Sequence, residues 1–169
     1  MDKIINKVAE SGLVIFDISK LIPQGERLGI DIKDFLCKGM ILKEKEFREK
    51  IKNINTEFYE NAYVYIYCSE DAIVPVWAYF LITAKITLAA KKIFFGNRKN
   101  LEAFLMHDAV QNYDFSDLKH KRVLVKGCSD RFIPINAYME LVEKLRPIVK
   151  SLMFGEACSN VPIFKNVTL

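Results

Sequence analysis

The sequence predicts an α/β protein with three layers and a mainly parallel sheet, built from two tandem α-β-α-β repeats. Short apolar runs typical of buried strands alternate with longer segments of helical periodicity. The same order of elements occurs twice, over residues 41–97 and 101–156. Strands that alternate with helices favour parallel pairing, because the crossover between two parallel strands needs a helix.

The repeat is clearest around two loops that contain Cys-Ser. The loops align at a spacing of 60, Cys68 with Cys128, whereas residues 75–96 and 134–155 align at 59. We therefore expect that the second loop lost one residue, and we interpret the pattern as an internal duplication. The segments after the loops share seven identities in 22 positions: Pro75/Pro134, Ala78/Ala137, Tyr79/Tyr138, Lys85/Lys144, Lys91/Lys150, Phe95/Phe154 and Gly96/Gly155.

Prolines fix where two of the predicted helices begin. Pro75 and Pro134 are tolerated in a first helical turn, where the missing N–H would have had no partner. Pro147 is expected to end the later helix near Arg146. Asn100 is the expected cap of another helix. The predicted helices are 43–54, 75–91, 101–111 and 134–145, and the predicted strands of the repeats are 63–67, 92–95, 123–126 and 151–154.

The first forty residues have no counterpart later in the chain, and we expect an N-terminal arm that covers or extends the sheet. If the two halves meet along their first strands, they form one continuous sheet with the switch point between those strands. The whole chain, residues 1–169, is predicted to be one domain, with residues 157–169 as a tail. Within the arm, residues 2–10 and 34–38 are predicted to be helical and residues 13–18 and 28–32 to be strands.

Composition limits the classes of function. The chain is 51% apolar and 27% charged, and its net charge of +4 is spread along its length, which disfavours nucleic-acid binding. Residues 72–90 are apolar enough to consider a membrane span, but Lys85 and Pro75 favour a buried helix instead. No segment resembles a secretion signal, so we expect a cytoplasmic protein whose cysteines are free thiols or ligands. A homo-oligomer is compatible with the sequence.

Three of the four cysteines follow predicted strands, at Cys68, Cys128 and Cys158. Neighbouring strands lie about 4.8 Å apart, so one sheet would bring the thiols within roughly 10 Å at its carboxyl edge. Thiolate is the donor that zinc and iron–sulfur clusters prefer, and helix N-termini favour the deprotonated thiol. The sequence therefore predicts a metal or cluster site, with Ser69, Ser129, Asp71 and Asp130 as further contacts and Glu156 as another oxygen ligand.

Two alternatives remain open. Cys-Ser also suits a tight corner between a strand and a helix, in which case the chain is a non-enzymatic interaction module with structural cysteines. One cysteine could instead be the nucleophile of a sulfur-transfer enzyme. A phosphatase loop is disfavoured, because Val74 and Pro134 stand where it needs an arginine. Cys37, His107, His120, Tyr79 and Tyr138 are interpreted as packing or surface residues.

The chain resembles a bacterial family known as domain of unknown function 2480 over nearly its whole length. The resemblance implies no established activity. It does imply an association with proteins of iron–sulfur cluster assembly, which would be the expected partners. The segments that carry it are SGLVIFDI, PQGER, DIKDFL, ILKEKEFRE, CSEDAIVPVWAY, KGCSD, the Ala-Tyr at 137–138 and SLMFGEACSNVP.

Overall fold

Two mainly parallel sheets form the framework in residues 12–126 and 131–166, which the computed structural model of the protein describes. One sheet has the order β1-β5-β6-β7 and the other β2-β3-β4. All neighbouring strands are parallel except β6 and β7. The predicted α/β class is confirmed. The strands are β1 (Leu13–Phe16), β2 (Arg27–Asp31), β3 (Tyr63–Tyr67), β4 (Lys92–Phe95), β5 (Arg122–Lys126), β6 (Ser151–Glu156) and β7 (Ser159–Lys165).

Four α-helices accompany these strands in the described residues, together with four short 3-10 turns. The helices are α1 (Glu44–Lys52), α2 (Val76–Ile86), α3 (Arg98–Asn112) and α4 (Ile135–Leu145), and the turns are Ile18–Leu21, Ile32–Phe35, Thr56–Tyr59 and Ser116–Leu118. The helix α4 ends two residues before Pro147, as predicted. The helix predicted for residues 2–10 lies outside the described residues.

The chain divides into two compact units. The contiguous unit is Gln24–Leu101 and contains the sheet β2-β3-β4; the split unit comprises the residues up to Pro23 and those from Glu102 onward, with the sheet β1-β5-β6-β7. The arm thus gives one strand to each sheet, β1 to one and β2 to the other.

The prediction of one continuous sheet is wrong. A strand has two edges, and both edges of β3 are occupied by β2 and β4, while those of β5 are occupied by β1 and β6. The first strands of the two halves therefore do not pair with each other. The arm strands start level with them, since Arg27 pairs with Tyr63 and Leu13 with Arg122.

The internal duplication is confirmed, but the predicted loss of a residue from the second loop is wrong. The strands β3 and β5 begin 59 residues apart at Tyr63 and Arg122, and α2 and α4 also begin 59 residues apart at Val76 and Ile135. The two connections consequently have equal length. In this register Cys68 is the first residue after its strand, whereas Cys128 is the second after its own.

Corresponding residues of the two halves adopt matching geometry. Asn61 and His120 both have positive φ, at 56° and 60°. Their backbone N–H groups donate to the carbonyl oxygens of Ala89 at 2.9 Å and Ile148 at 2.7 Å. Two aromatic pairs correspond as well. The rings of Tyr79 and Phe95 lie edge to face at 5.2 Å, and those of Tyr138 and Phe154 at 5.6 Å.

Each unit has its own apolar core on the helix-covered face of its sheet. In the contiguous unit, Val64 and Ile66 of β3 pack in one cluster with the inward faces of α1 and α2. In the split unit, Val123 and Val125 of β5 belong to a cluster that includes residues of α3 and α4. The equivalent residues Ile82 and Leu141 are fully buried at the centres of these helix faces. The duplicated strand and helix therefore build the same kind of core twice.

The helix α3 begins earlier than predicted, because its cap is Asn97 and not Asn100. The backbone N–H of Asn100 donates to Asn97 Oδ1 at 3.0 Å, and the backbone N–H of Asn97 donates to Asn100 Oδ1 at 3.2 Å. This reciprocal pair is a capping box, with Asn in place of the usual Ser or Thr and Glu.

The helix α2 is buried on one face and open on the other, so the prediction of a buried helix holds for half of its surface. Ala78, Ile82 and Ile86 are fully buried, whereas Val76 and Phe80 are exposed. In the residues that the structure describes, no helix is both long enough and apolar enough to cross a membrane.

The tail predicted after residue 156 is instead the edge strand β7. The strand β6 continues through Gly155, whose φ is +130°, to Glu156, and β7 returns antiparallel from Ser159. Cys158 therefore lies in a hairpin turn. It is followed by a strand, whereas Cys68 lies in a connection between a strand and a helix.

Candidate cysteine site

The carboxyl edge of the contiguous sheet brings Asp31 and Ser69 together. Asp31 ends β2 beside Tyr67, the last residue of β3, and Cys68 and Ser69 follow directly. The backbone N–H of Ser69 donates to Asp31 Oδ1 at 3.0 Å, and that of Lys33 donates to the same oxygen at 3.1 Å. Asp31 thus fixes the start of the loop after Cys68 and caps the 3-10 turn Ile32–Phe35.

These hydrogen bonds control the ionisation of Asp31. Burial alone would raise its pKa, but hydrogen bonds from Ser69 and Lys33 and the positive charge of Lys33 outweigh burial and lower the pKa below 3.8. The carboxylate is therefore the stable form at neutral pH.

Cys68 is partly buried and packs against the core of the contiguous unit. Tyr79 is close enough to respond to it: burial raises the pKa of the Tyr79 hydroxyl, and negative charge on Cys68 raises it further. The ring of Tyr79 is held by Phe95. Cys68 consequently has the surroundings of a packed corner residue, with a phenol nearby that would be neutral at physiological pH.

The split unit repeats part of this arrangement with Asp17. The carboxylate follows β1 and accepts hydrogen bonds at Oδ1 from the backbone N–H of Ser19 at 3.0 Å and from its hydroxyl at 2.6 Å. Hydrogen bonding to Ser19 and the charge of Lys126 lower the pKa of Asp17 despite the effect of burial. Burial raises the pKa of Tyr138, with a further contribution from Asp17. The predicted residues Cys128, Ser129 and Asp130 of the adjoining loop lie outside the described residues.

Cys158 is exposed in the turn between β6 and β7. The turn follows Gly155, which pairs with Lys126 at the end of β5. Glu156, the predicted oxygen ligand, is the last residue of β6 and pairs with Ser159. Cys158 is therefore accessible to a ligand, and it lies just beyond the carboxyl end of the strand that neighbours β5.

The predicted ligands are divided between the units. Cys68, Ser69 and Asp71 belong to the contiguous unit, and Ser69 and Asp71 are exposed. Cys158 belongs to the split unit. Over residues 12–126 and 131–166 no group of three or more His, Cys, Asp or Glu side chains could hold a metal ion. The premise of a single sheet edge is wrong, because Cys68 follows a strand of one sheet and Cys158 follows a strand of the other. The ligand set itself stays a prediction.

The minor candidates have structural surroundings. Cys37 lies in a tight loop, where its backbone N–H donates to the carbonyl oxygen of Ile41 at 2.7 Å. His107 of α3 makes a hydrogen bond through Nδ1 to Glu140 Oε2 of α4 at 2.9 Å. His120 occupies the turn before β5 with positive φ. These contacts agree with the interpretation of all three as packing or surface residues.

Asp17 and Asp31 are the residues that sequence reasoning missed at the carboxyl edges of the two sheets. Asp17 directly follows β1 and Asp31 is the last residue of β2; each precedes a fully buried isoleucine, Ile18 or Ile32, and each caps a 3-10 turn. The signal is the pair of similar segments VIFDI and LGIDI, 14 residues apart within the arm. The arm is therefore itself a short repeat that gives each sheet an edge strand and an aspartate.

Replacing Asp31 by asparagine is expected to lower the free energy of unfolding at neutral pH. The variant is also expected to lose less of that free energy than the wild type when the pH is lowered. A carboxyl whose pKa is lowered on folding stabilises the fold above its unfolded value, and this contribution is lost as the pH falls through the folded value. Urea unfolding between pH 7 and pH 3 measures the difference between wild type and Asp31→Asn, which should shrink towards the acid end. Asp34→Asn, at an exposed neighbouring site, is the matched control. If the difference in free energy of unfolding between wild type and Asp31→Asn did not depend on pH, the lowered pKa of Asp31 would not be its cause.

Comparison with known proteins gives a family and no further relative. A family model described as "Protein of unknown function (DUF2480)" matches residues 2–166. No curated protein and no solved structure matches the chain.

Proposed function

Because the chain belongs to the DUF2480 family of proteins of unknown function, we propose a function from its own residues: a cytoplasmic protein that holds a metal ion or an iron–sulfur cluster with cysteine thiolates. The pair at the centre of the proposal is Cys128 and Cys158. In this role the protein would be an accessory to iron–sulfur cluster assembly, and the metal would be zinc or iron.

The observation that carries the proposal is the parallel pairing of β5 with β6. Lys126 pairs with Gly155, so the two strands end side by side. Cys128 stands two residues after Lys126 in the sequence, and Cys158 stands three residues after Gly155 in an exposed turn. Two thiolates that follow neighbouring parallel strands supply two of the ligands that zinc or a cluster needs.

Free thiols are a second support. Cys37, Cys68 and Cys158 are all free among the described cysteines. Thiols that stay reduced suit a cytoplasmic protein, because cytosolic reductants keep them available as ligands. Cys68 follows the corresponding strand of the other unit and is tested below as a third ligand, with Ser69, Ser129, Asp71 and Asp130 as further contacts.

We expect the protein purified without oxygen to contain iron with sulfide, or zinc, and to lose most of it in Cys128→Ser and Cys158→Ser. Iron, zinc and acid-labile sulfide are measured per chain, with the absorption spectrum between 300 and 500 nm as a check for a cluster. Cys37→Ser is the matched control, because Cys37 lies in the arm and follows no strand of the repeats. Cys68→Ser tests the third ligand.

Wild-type protein without iron, zinc or sulfide would contradict the proposal. Wild-type metal content in both Cys128→Ser and Cys158→Ser would contradict it as well. Loss in the Cys68 variant alone would move the site to the contiguous unit.

A non-enzymatic interaction module is the second candidate, and a repeated apolar surface favours it. Four pairs of corresponding residues are exposed in both halves: Ile73/Phe132, Val76/Ile135, Phe80/Met139 and Phe95/Phe154. Large apolar residues that stay exposed in both copies indicate a binding surface better than a single exposed residue does. On this reading the cysteines are structural, and replacing all of them leaves partner binding unchanged.

A further inference from the structure

An uncharged apolar stripe runs along the open face of α2. Val76, Phe80 and Ala84 recur every four residues on the helix, and Leu88 continues the series in the turn after its end. All four are exposed, Phe80 by 68% and Leu88 by 98%. Residues four apart lie on one side of a helix, so they form a single ridge.

The nearest charge on this helix is directed away from the ridge. Lys85 Nζ donates to the carbonyl oxygen of Lys52 at 2.9 Å, which holds the lysine against the end of α1. The helix therefore has an apolar buried face and an apolar open face. A helix that is apolar all round is typical of one that is covered on both sides.

In the duplicated helix α4 the corresponding face is apolar only over its first two turns. Ile135 and Met139 correspond to Val76 and Phe80, but Glu143 stands where α2 has Ala84. Pro147 likewise stands where the first half has Leu88. The two helices share an origin and a length, so the apolar continuation of the ridge is specific to α2.

The ridge is large enough for the apolar centre of a protein interface. An aromatic side chain can bury on the order of 150–250 Å², and with the exposed fractions of Val76, Phe80 and Leu88 the ridge leaves roughly 400 Å² open. A standard interface buries about 800 Å² per partner, with the apolar part at its centre. The ridge therefore supplies most of the apolar centre of one such interface.

The order of large and small residues along the ridge fits a second copy of itself. We propose that two copies of this chain pair through α2, antiparallel about a two-fold axis between Phe80 and Ala84. In that arrangement Phe80 of one copy lies against Ala84 of the other, and Val76 lies against Leu88. Each large side chain meets a smaller one, as interdigitated helix packing requires. A two-fold contact also needs a face without charges that would meet themselves, and this ridge has none.

The full-length protein is expected to be a dimer in light scattering after size-exclusion chromatography and in sedimentation equilibrium. Phe80→Glu is expected to raise the dimer dissociation constant at least about 100-fold, because it places two charges near the centre of the interface. Met139→Glu is the matched control: Met139 has the same position in α4 and is 60% exposed, and its replacement should leave the dimer intact.

A charge-free series tests the register. Ala84→Phe crowds Phe80 of the other copy and should weaken the dimer at least about tenfold. The double variant Phe80→Ala with Ala84→Phe exchanges the large and small partners and should recover the wild-type dissociation constant within a few-fold. Thermal unfolding checks that each variant is folded. We expect all of them to fold, because residues 80 and 84 are both exposed.

A monomeric wild type at tens of micromolar overturns the proposal, and so does a dimer that survives Phe80→Glu. If Met139→Glu raised the dimer dissociation constant as much as Phe80→Glu, the contact would not be specific to α2, and the proposal would also be overturned. Failure of the double variant to recover overturns the antiparallel register. The remaining occupant of an apolar ridge is a lipid surface. Co-sedimentation of a monomeric wild type with phosphatidylcholine and phosphatidylglycerol vesicles, lost in Phe80→Glu, would assign the ridge to lipid and exclude the dimer.

Discussion

Replacing Phe47 by alanine is expected to lower the free energy of unfolding by about 3–5 kcal/mol. Phe47 is fully buried in α1 and, together with Ile51, packs this helix into the contiguous core. Its ring lies 5.6 Å from that of Phe35 and 5.6 Å, edge to face, from that of Trp77. The substitution removes both ring contacts and leaves a cavity between α1, the turn that contains Phe35 and the helix that contains Trp77.

Urea or guanidinium unfolding at neutral pH measures this loss. Phe58→Ala makes the same chemical change at a side chain that is 64% exposed, so it should cost less than about 1 kcal/mol. Similar losses in the two variants would mean that Phe47 is not a central packing residue. Because whole domains are stable by only about 5–15 kcal/mol, the Phe47 variant is expected to be close to unfolding at 37 °C.

Replacing Gly155 by alanine is expected to have the second largest effect, about 3–5 kcal/mol, because two costs combine. Its φ of +130° disfavours any residue with a Cβ atom. An added Cβ would also lie 2.6 Å from the carbonyl oxygen of Ser159 and 3.1 Å from the Cα atom of Asn160, both in the backbone of β7. The hairpin that carries Cys158 would have to open to admit it.

The duplication provides the control for this variant. Gly96 has the same φ of +130°, but its added Cβ would meet side-chain atoms of Phe94 and Asn100, at 3.1 Å and 3.2 Å. Gly96→Ala should therefore show the conformational cost without the backbone clash and be milder by about 1–3 kcal/mol. Equal losses in chemical unfolding would show that φ alone decides. In that case hydrogen exchange at β7 would be the same in both variants.

Local patterns in the sequence predicted the elements of the repeats well. The strands Tyr63–Tyr67 and Lys92–Phe95 have the predicted ends, because their apolar runs are bounded by turn residues such as Gly96. Pro75 and Pro134 immediately precede their helices, where the missing N–H needs no partner. Boundaries were less accurate where side chains compete for the cap, as Asn97 and Asn100 do.

The division into two sheets could not be predicted from local patterns. It depends on which distant strand occupies the free edge of β3 and of β5, and strands of similar composition fit either edge. The Asp-Ile at the ends of β1 and β2 marks them as similar strands, but it does not indicate which sheet each one joins. Because β2 pairs with β3 and β1 pairs with β5, the two halves do not share a sheet and therefore do not share one carboxyl edge.

The candidate site was predicted in part. The position of Cys68 directly after β3 was predicted correctly, but its packing against the core was left as one of two alternatives. The hairpin around Cys158 was missed because residues 157–169 were interpreted as a tail, although they contain β7 with Pro162 inside it. Proline is tolerated in β7 because this strand lies at the edge of the sheet. The ligand set of three cysteines remains a prediction, now centred on Cys128 and Cys158.

The positions of the two arm strands in the chain also set the order in which the sheets of the two units can be completed during synthesis. Every strand of the contiguous sheet has left the ribosome soon after Phe95, whereas β1 has no partner until β5 is finished at Lys126. Pairing β1 with β5 closes a loop about three times as long as pairing β2 with β3, at about 1 kcal/mol more chain entropy. Among the described strands, β1 therefore waits longest for its partner, and until then its open edges are available to chaperones or to another nascent chain.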